Sequence, residues 1–259
     1  MYVGIDCGAS TTKVVIVNED GKIVSHAMVP SGINFKISSE EALRKALESS
    51  GSSLKDILYT VSTGYGRALV NTKSVSSEIT CVSRGVHKLF PSVRTIIDVG
   101  GQDSKAVRID ESGRVLDFVM NDKCAAGTGR FLEVMSSILG KPIEELGRLH
   151  FKSSKPIKIS STCTVFAESE VISYVSQGSG IEDAIAGLHE AIAERIYNMS
   201  CRIGFEKDVA FTGGVAKNQG FVAALSKKIG VAPTLPEEPQ IICAFGAGLA
   251  AIKKHKENA

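Results

Sequence analysis

The sequence predicts an α/β protein made of two related βββαβα halves that face each other across a ligand-binding cleft. Two observations support this fold class. Segments that read as strands alternate with segments that read as helices along the chain, which is the order of an α/β fold. Residues 4–24 also return at residues 96–116 without a gap, which indicates that the two halves share one topology.

The internal repeat aligns GIDCGASTTKVVIVNEDGKIV with IIDVGGQDSKAVRIDESGRVL. In this alignment Asp6 meets Asp98. Glycines, lysines and glutamates also align in four further pairs: Gly8 and Gly100, Lys13 and Lys105, Glu19 and Glu111, Gly21 and Gly113. Each copy reads as a buried strand, an Asp-x-Gly turn, an alternating strand, a hairpin and a third strand. We therefore interpret the repeat as a duplication and not as a chance likeness between two hairpins.

The remaining elements follow each copy in order. After the first copy we predict a helix, a strand, a glycine turn and a helix at 38–50, 57–63, 64–67 and about 81–89. After the second we predict a helix, a strand, two helices, a strand and two helices at about 128–139, 155–160, 164–176, 181–202, 208–214, 217–229 and 242–256. We expect a first half at 1–93 and a second at 94–241. The C-terminal helix, about 242–259, could pack back on the first half.

Composition and charge argue against several classes of function. The 259 residues are 43% hydrophobic, which is enough to bury a core. Lys and Arg number 30 against 28 Asp and Glu, no basic stripe occurs and Trp is absent, so nucleic acid is not an expected partner. The start of the chain reads as a strand and not as a signal peptide, and no apolar segment reaches membrane-spanning length. We expect a cytoplasmic protein with no membrane partner.

Three glycine loops follow predicted strands, where exposed backbone amides suit phosphate or allow a ring to approach the backbone. The first loop offers Gly8, Ser10, Thr11, Thr12 and Lys13, the second offers Gly100 and Gly101, and the third offers Gly213, Gly214 and Asn218. Asp6 and Asp98 could share one Mg²⁺ ion, and Gln102 could orient a water molecule. The chain contains no GxxxxGK[ST] motif and no dinucleotide fingerprint.

Taken in order, the D-x-G, D-x-G-G and G-G-x segments near residues 6, 98 and 213 resemble the phosphate-1, phosphate-2 and adenosine loops of the actin, sugar-kinase and heat-shock ATPase superfamily. The resemblance covers the chain from end to end. It implies that ATP binds in the cleft, with catalytic roles for Asp6, Asp98 and Gln102.

Six cysteines occupy positions 7, 81, 124, 163, 201 and 243, and no CxxC pair occurs among them. Four of these read as small packing residues. Cys124 and Cys163 differ because each follows polar residues and stands at or just before a predicted helix start, where backbone amides favour a thiolate. One chain supplies two such thiols, so two chains related by a twofold axis would supply four. Four thiolates suit a [4Fe–4S] cluster or a Zn²⁺ ion.

The segments NDKCAAGTGRFL (121–132) and SSTCTVFAESEVIS (160–173) closely resemble the signature segments of the activator component of 2-hydroxyacyl-CoA dehydratases. That family includes ATPase subunits of benzoyl-CoA reductase and reductases of double-cubane cluster proteins. The segments TGYGR (63–67), IDVGGQDSK (97–105) and GGVAKN (213–218) match the same family at the expected places. The resemblance spans essentially the whole chain.

The resemblance implies an oxygen-sensitive homodimer from an anaerobe, with one [4Fe–4S] cluster held by Cys124 and Cys163 of both subunits. It implies that ATP and Mg²⁺ drive single electrons from ferredoxin or flavodoxin to an iron–sulfur dehydratase or double-cubane partner. A turn that links the cysteine loop to the nucleotide comprises Gly127, Thr128, Gly129 and Arg130. Two alternatives stay open: a small-molecule kinase such as a sugar kinase, and an ATPase that polymerises as actin-like proteins do. Neither requires iron.

Overall fold

The computed structural model describes residues 1–160 and 163–258. The chain divides into two compact units. The first unit comprises Met1–Val93, Ile109–Leu116 and Pro236–Ala259, and the second comprises Arg94–Arg108 and Asp117–Leu235.

Strands and helices alternate along both units. The strands are β1 Tyr2–Cys7, β2 Thr11–Val17, β3 Ile23–Pro30, β4 Tyr59–Thr63, β5 Ser74–Val75, β6 Thr95–Val99, β7 Ser104–Ile109, β8 Val115–Asn121 and β9 Val209–Thr212. The helices are α1 Phe35–Ser50, α2 Glu78–Leu89, α3 Gly129–Ile138, α4 Ile143–His150, α5 Thr164–Ser176, α6 Ile181–Cys201, α7 Gln219–Ile229 and α8 Ile242–Asn258. In the part of the chain that is described, no helix is both long and apolar enough to cross a membrane.

The sheet of the first unit has the strand order β3-β2-β1-β4-β5. Every residue of β1 is buried, because apolar side chains of α1 pack against one face of the sheet and those of α8 against the other. Gly4 in β1 and Gly246 in α8 permit this approach. A Cβ atom on Gly4 would overlap the carbonyl oxygen of Ala244, and one on Gly246 would overlap that of Cys81. Helix α8 therefore packs backbone against backbone on β1 and α2.

The sheet of the second unit has the order β8-β7-β6-β9, and helices α3 to α7 share an apolar core with it. Its central pairing matches that of the first sheet. Asp6 lies opposite Lys13 in the antiparallel neighbour and opposite Thr63 in the parallel one. Asp98 in the same way lies opposite Lys105 and opposite Thr212. The sequence repeat thus corresponds to one strand register that occurs once in each unit.

The strand predicted at 155–160 is wrong, because this segment is irregular. Its backbone bonds to the start of α6: Ile157 N donates to the carbonyl of Asp183, and Lys155 N donates to the Asp183 carboxylate at 2.8 Å. Those amides are therefore not available to a sheet. Sequence analysis also omitted α4, which begins directly after Pro142 and buries Leu146 and Leu149.

Candidate functional site

The first phosphate-type loop joins β1 to β2. Lys13 Nζ donates to Asp6 Oδ2 at 3.1 Å, and both side chains are nearly buried. Gly8 fits close to this pair, because a Cβ atom there would lie 3.1 Å from Lys13 Nζ. Cys7 beside it is buried, and burial raises the pKa of its thiol to about 12. The loop therefore ends in an ion pair and not in a reactive cysteine.

The hydroxyl groups predicted to bind phosphate have different surroundings. Thr12 is fully buried, and its Oγ1 is hydrogen-bonded to Ser31 Oγ at 2.9 Å and to Ser38 Oγ at 3.1 Å. Ser10 is exposed and Thr11 is half-buried. The buried Thr12 hydroxyl thus stabilises the loop through its hydrogen bonds. Of these three residues, only Ser10 and Thr11 have accessible hydroxyls. Phosphate binding by all three stays a prediction.

The second phosphate-type loop follows Asp98 at the end of β6. The Thr212 hydroxyl donates to Asp98 Oδ1 at 2.7 Å, and Lys105 Nζ lies 3.6 Å from Asp98 Oδ2. Lys105 is itself buried and donates to Asp103 Oδ1 at 2.7 Å. Gln102 is exposed at the loop surface. Sequence analysis did not include Lys105 and Thr212 among the site residues, although the repeat pairs Lys105 with Lys13.

The turn at residues 127–130 is bonded directly to this second loop. Gly129 N donates to the carbonyl of Gly100 at 2.8 Å, and Arg130 N donates to that of Gly101 at 2.7 Å. Thr128 precedes α3, and its hydroxyl donates to the carbonyl of Ala125 at 2.7 Å. The turn thus fixes the shape of the loop through its own backbone. Direct contact of the turn with a nucleotide stays a prediction.

The third loop lies between β9 and α7. Gly213 has a φ of 88°, and a Cβ atom there would overlap the carbonyl oxygen of Val99, so only glycine fits. A short 3₁₀ helix, Gly214–Lys217, follows. Asn218 then caps α7, because its Oδ1 accepts from Phe221 N at 2.9 Å. The second and third glycine loops both belong to the second unit, and they therefore contact each other through their backbones.

A buried histidine supports the third loop. His189 on α6 is fully buried. Its Nε2 lies 3.1 Å from Asn218 Nδ2, and its Nδ1 lies 3.3 Å from His150 Nδ1. Burial, and then the neighbouring His150, lower the pKa of His189 from 6.5 to about 3. Glu190 and Lys227 are the charged groups acting on His150. This cluster was not predicted from the sequence, because its residues come from three separate helices.

The lowered pKa of His189 predicts a pH dependence of stability. The unfolded chain binds this proton near pH 6.5 and the folded chain only near pH 3. The free energy of unfolding should therefore decrease as the pH falls below 6.5, by up to about 1.4 kcal/mol per pH unit. Urea unfolding across this range should show a shallower dependence for His189→Gln than for the wild type. An unchanged slope in His189→Gln would contradict the assignment.

Cys124 lies in the loop between β8 and α3 and is half-buried. Both polar atoms of the Asn121 amide group are hydrogen-bonded to the backbone of this loop. Its Nδ2 donates to the carbonyl of Cys124 at 2.8 Å, and its Oδ1 accepts from Cys124 N at 3.2 Å. The Cys124 backbone is thus fixed within the loop.

Cys163 is exposed and stands at the N-cap position of α5, where its carbonyl accepts from Ala167 N at 2.9 Å. The next two apolar side chains, Val165 and Phe166, are 65% and 68% exposed. Ser161 and Thr162, two of the polar residues that precede this cysteine, lie outside the described residues. Among the residues that are described, no three His, Cys, Asp or Glu side chains assemble as a metal site.

A cavity of about 590 Å³ lies beside the cysteine loop in the second unit. Its walls include Met120 at the end of β8, Lys123 and Gly127 of the loop, and Arg195 and Met199 of α6. Helix α6 thus passes from the third glycine loop, at His189, to the cysteine loop.

Comparisons with known proteins identify the family of this chain. The sequence profile of the BadF/BadG/BcrA/BcrD ATPase family matches residues 3–251. The chain belongs to this ATPase family. The activator of lactoyl-CoA dehydratase from Anaerotignum propionicum is 46% identical over 253 residues, which cover 97% of each protein. The predicted family resemblance is therefore confirmed.

Solved structures support the fold in the same way. The activator of the 2-hydroxyisocaproyl-CoA dehydratase from Clostridium difficile with bound ADPNP superposes with a TM-score of 0.94. It is 43% identical, and the match covers 100% of this chain and 97% of that one. A ROK family glucokinase from Streptomyces griseus, at 11% identity and a TM-score of 0.58, shares the fold alone across 97% of this chain and 99% of its own. The predicted actin and sugar-kinase-like α/β fold is confirmed.

Proposed function

We propose that this ATPase uses ATP hydrolysis to pass single electrons from ferredoxin or flavodoxin to an iron–sulfur partner enzyme. The partner is a 2-hydroxyacyl-CoA dehydratase or a double-cubane cluster protein. Cys124 and Cys163 of two copies of the chain would hold one shared [4Fe–4S] cluster, which would supply a one-electron carrier. Relatives named as dehydratase activators, and the one with bound ADPNP, support this proposal.

The single observation that carries the proposal is the bonded turn at residues 127–130. Gly129 N and Arg130 N donate to the carbonyls of Gly100 and Gly101 in the second phosphate-type loop, and Cys124 lies only a few residues before the turn. A change in that loop on hydrolysis is thereby transmitted through backbone hydrogen bonds to the cysteine loop. Coupling requires a physical connection of this kind between two sites.

The proposed hydrolytic residues are Asp6, Asp98 and Gln102. Asp98 is held by the Thr212 hydroxyl and the Lys105 ammonium group, so its carboxylate is already oriented when Mg²⁺ arrives. Asp6 is oriented by Lys13 in the same way. Gln102 is exposed and free to orient the attacking water. In this proposal the accessible glycines and hydroxyls of the phosphate-type loops bind the phosphates, and Gly213, Gly214 and Asn218 bind the adenosine.

The chemistry of Cys124 and Cys163 fits a shared cluster. Neither thiol is buried, so both can reach a group outside the chain. The N-terminal amides of α5 beside Cys163 favour a bound anionic group. A [4Fe–4S] cluster takes four thiolates and supplies a one-electron carrier when bound, and two chains provide four. The proposed role of this chain is to supply these thiolates and to hold their loops.

Hydrolysis supplies enough free energy for this task. Moving one electron uphill by a few hundred millivolts costs roughly 5–10 kcal/mol. That is the scale that ATP hydrolysis could supply.

An anaerobic electron-transfer assay tests the proposal. The protein, reduced with a ferredoxin, is mixed with a purified 2-hydroxyacyl-CoA dehydratase, and the redox state of the dehydratase is followed by absorption and EPR spectroscopy. We expect multiple-turnover reduction of the dehydratase with ATP and Mg²⁺ and none with ADPNP. Equal reduction without any nucleotide would contradict coupling, and hydrolysis without any electron transfer to either class of partner would contradict the proposed reaction.

A further inference from the structure

The polar cluster around His189 joins three helices at one point. His150 ends α4, His189 lies in the middle of α6, and Asn218 caps α7. A fully buried imidazole is costly unless its polar atoms are hydrogen-bonded, and both of its nitrogens are within hydrogen-bond distance of a partner. The proposed function assigns Asn218 to the adenosine loop and gives neither histidine a role.

The hydrogen bonds permit one assignment of protons. Asn218 Oδ1 accepts from Phe221 N, so the Nδ2 group of Asn218 is the one that faces His189. Because Nδ2 only donates, His189 Nε2 must accept, and its single proton must then be on Nδ1. Nδ1 in turn donates to His150 Nδ1 across 3.3 Å. The neutral imidazole therefore fixes which way the Asn218 amide points.

Close glycine packing brings the Asn218 amide against α4. A Cβ atom on Gly147 of α4 would lie 3.0 Å from Asn218 Oδ1. A Cβ atom on Gly220 of α7 would lie 2.5 Å from His150 Cβ. The start of α7 therefore lies directly against α4 beside Asn218.

Helix α6 also contacts the cysteine loop. About two turns after His189, Arg195 Cδ and Ile196 Cδ1 lie 3.4 Å and 3.6 Å from the position a Cβ atom on Gly127 would occupy. Gly127 has a φ of 97° and follows Cys124 by three residues. One rigid helix thus contacts the third glycine loop at one point and the cysteine loop at another.

We propose that His189 is a positioning residue: its neutral imidazole fixes the Asn218 amide in the adenosine loop and joins that loop to α6. The inference rests on the proposed role of this loop in binding adenosine. Loss of the bond to Asn218 removes the His189 partner of Asn218 Nδ2 in a half-buried site, so the nucleotide must restore the order of the loop when it binds. Nucleotide affinity should therefore depend on which hydrogen bond a substituted side chain retains.

Two substitutions separate the two hydrogen bonds. His189→Gln places a carbonyl oxygen near the position of Nε2 and keeps an acceptor for Asn218. His189→Asn places its amide near Nδ1, so it keeps the bond to His150 but does not reach Asn218. Binding of Mg²⁺–ADPNP to the full chain, purified without air, is measured by calorimetry. We expect His189→Asn to weaken binding about 3- to 10-fold, the effect of one neutral hydrogen bond, and His189→Gln to stay within about 2-fold of the wild type.

The outcomes separate this inference from the proposed function. Wild-type affinity in both variants, or equal weakening in both, would overturn the positioning role. A wild-type chain that binds no ADPNP would instead overturn the proposed ATP binding. If His189→Asn does not fold, ¹⁵N NMR of histidine-labelled wild type decides, since the chain has only 5 histidines. We expect a His189 signal with its proton on Nδ1 that shifts on ADPNP binding, and a proton on Nε2 would overturn the inference.

Discussion

Asp98→Asn should lower ATP turnover about 100- to 1,000-fold, the usual cost of removing one preoriented electrostatic group. The carboxylate is fixed by Thr212 at 2.7 Å and by Lys105 at 3.6 Å, so the amide would occupy the same place without the charge that Mg²⁺ requires. Phosphate release from ATP, measured with saturating Mg²⁺, gives the result directly. Binding of ADPNP should persist, because the backbone of the loop is unchanged.

Asp110→Asn is the matched control for this loss. The Asp110 carboxylate accepts from Ser112 and Arg114 inside a hairpin turn, away from Asp98 in strand register. Its ATP turnover should equal that of the wild type. Wild-type turnover in Asp98→Asn would remove Asp98 from the hydrolytic residues.

Cys124→Ser and Cys163→Ser should each reduce bound iron to background in protein purified without air. A [4Fe–4S] cluster requires thiolate ligands, and a serine hydroxyl does not ionise near neutral pH. The thiol of Cys163 is exposed and that of Cys124 is half-buried, so both can ligate iron. Iron is measured by inductively coupled plasma mass spectrometry, and ADPNP binding is measured in parallel to show that each variant is folded.

Cys201→Ser provides the control, since Cys201 is also an exposed thiol of the second unit but lies at the end of α6 and not ahead of a helix. It should retain wild-type iron. Full iron content in both Cys124→Ser and Cys163→Ser would exclude them as ligands.

Much of the fold could be predicted because the repeat carries the strand register. Asp6 and Asp98 occupy the same position in two sheets, each opposite a lysine on the antiparallel neighbour. The alignment of Asp-x-Gly and lysine positions in sequence reflects that geometry. The prediction of a helix at 164–176 agrees with the observed bounds of α5, Thr164–Ser176.

The remaining features depend on contacts between distant segments. The segment 155–160 alternates apolar and polar residues as a strand does, yet its amides bond to Asp183 at the start of α6. Nothing local in the sequence specifies that partner. His189 was missed for a similar reason, because a histidine within an apolar helix becomes informative only when α4 and α7 bring His150 and Asn218 beside it.

The most direct test of the proposed electron carrier is the content of iron and sulfide per chain, measured together with the native mass of protein purified without air. Two copies that share one [4Fe–4S] cluster predict a dimer with about two irons and two sulfides per chain. A metal-free or zinc-containing protein that still hydrolyses ATP would contradict the account. The chain would then be an ATPase of this fold without an electron carrier.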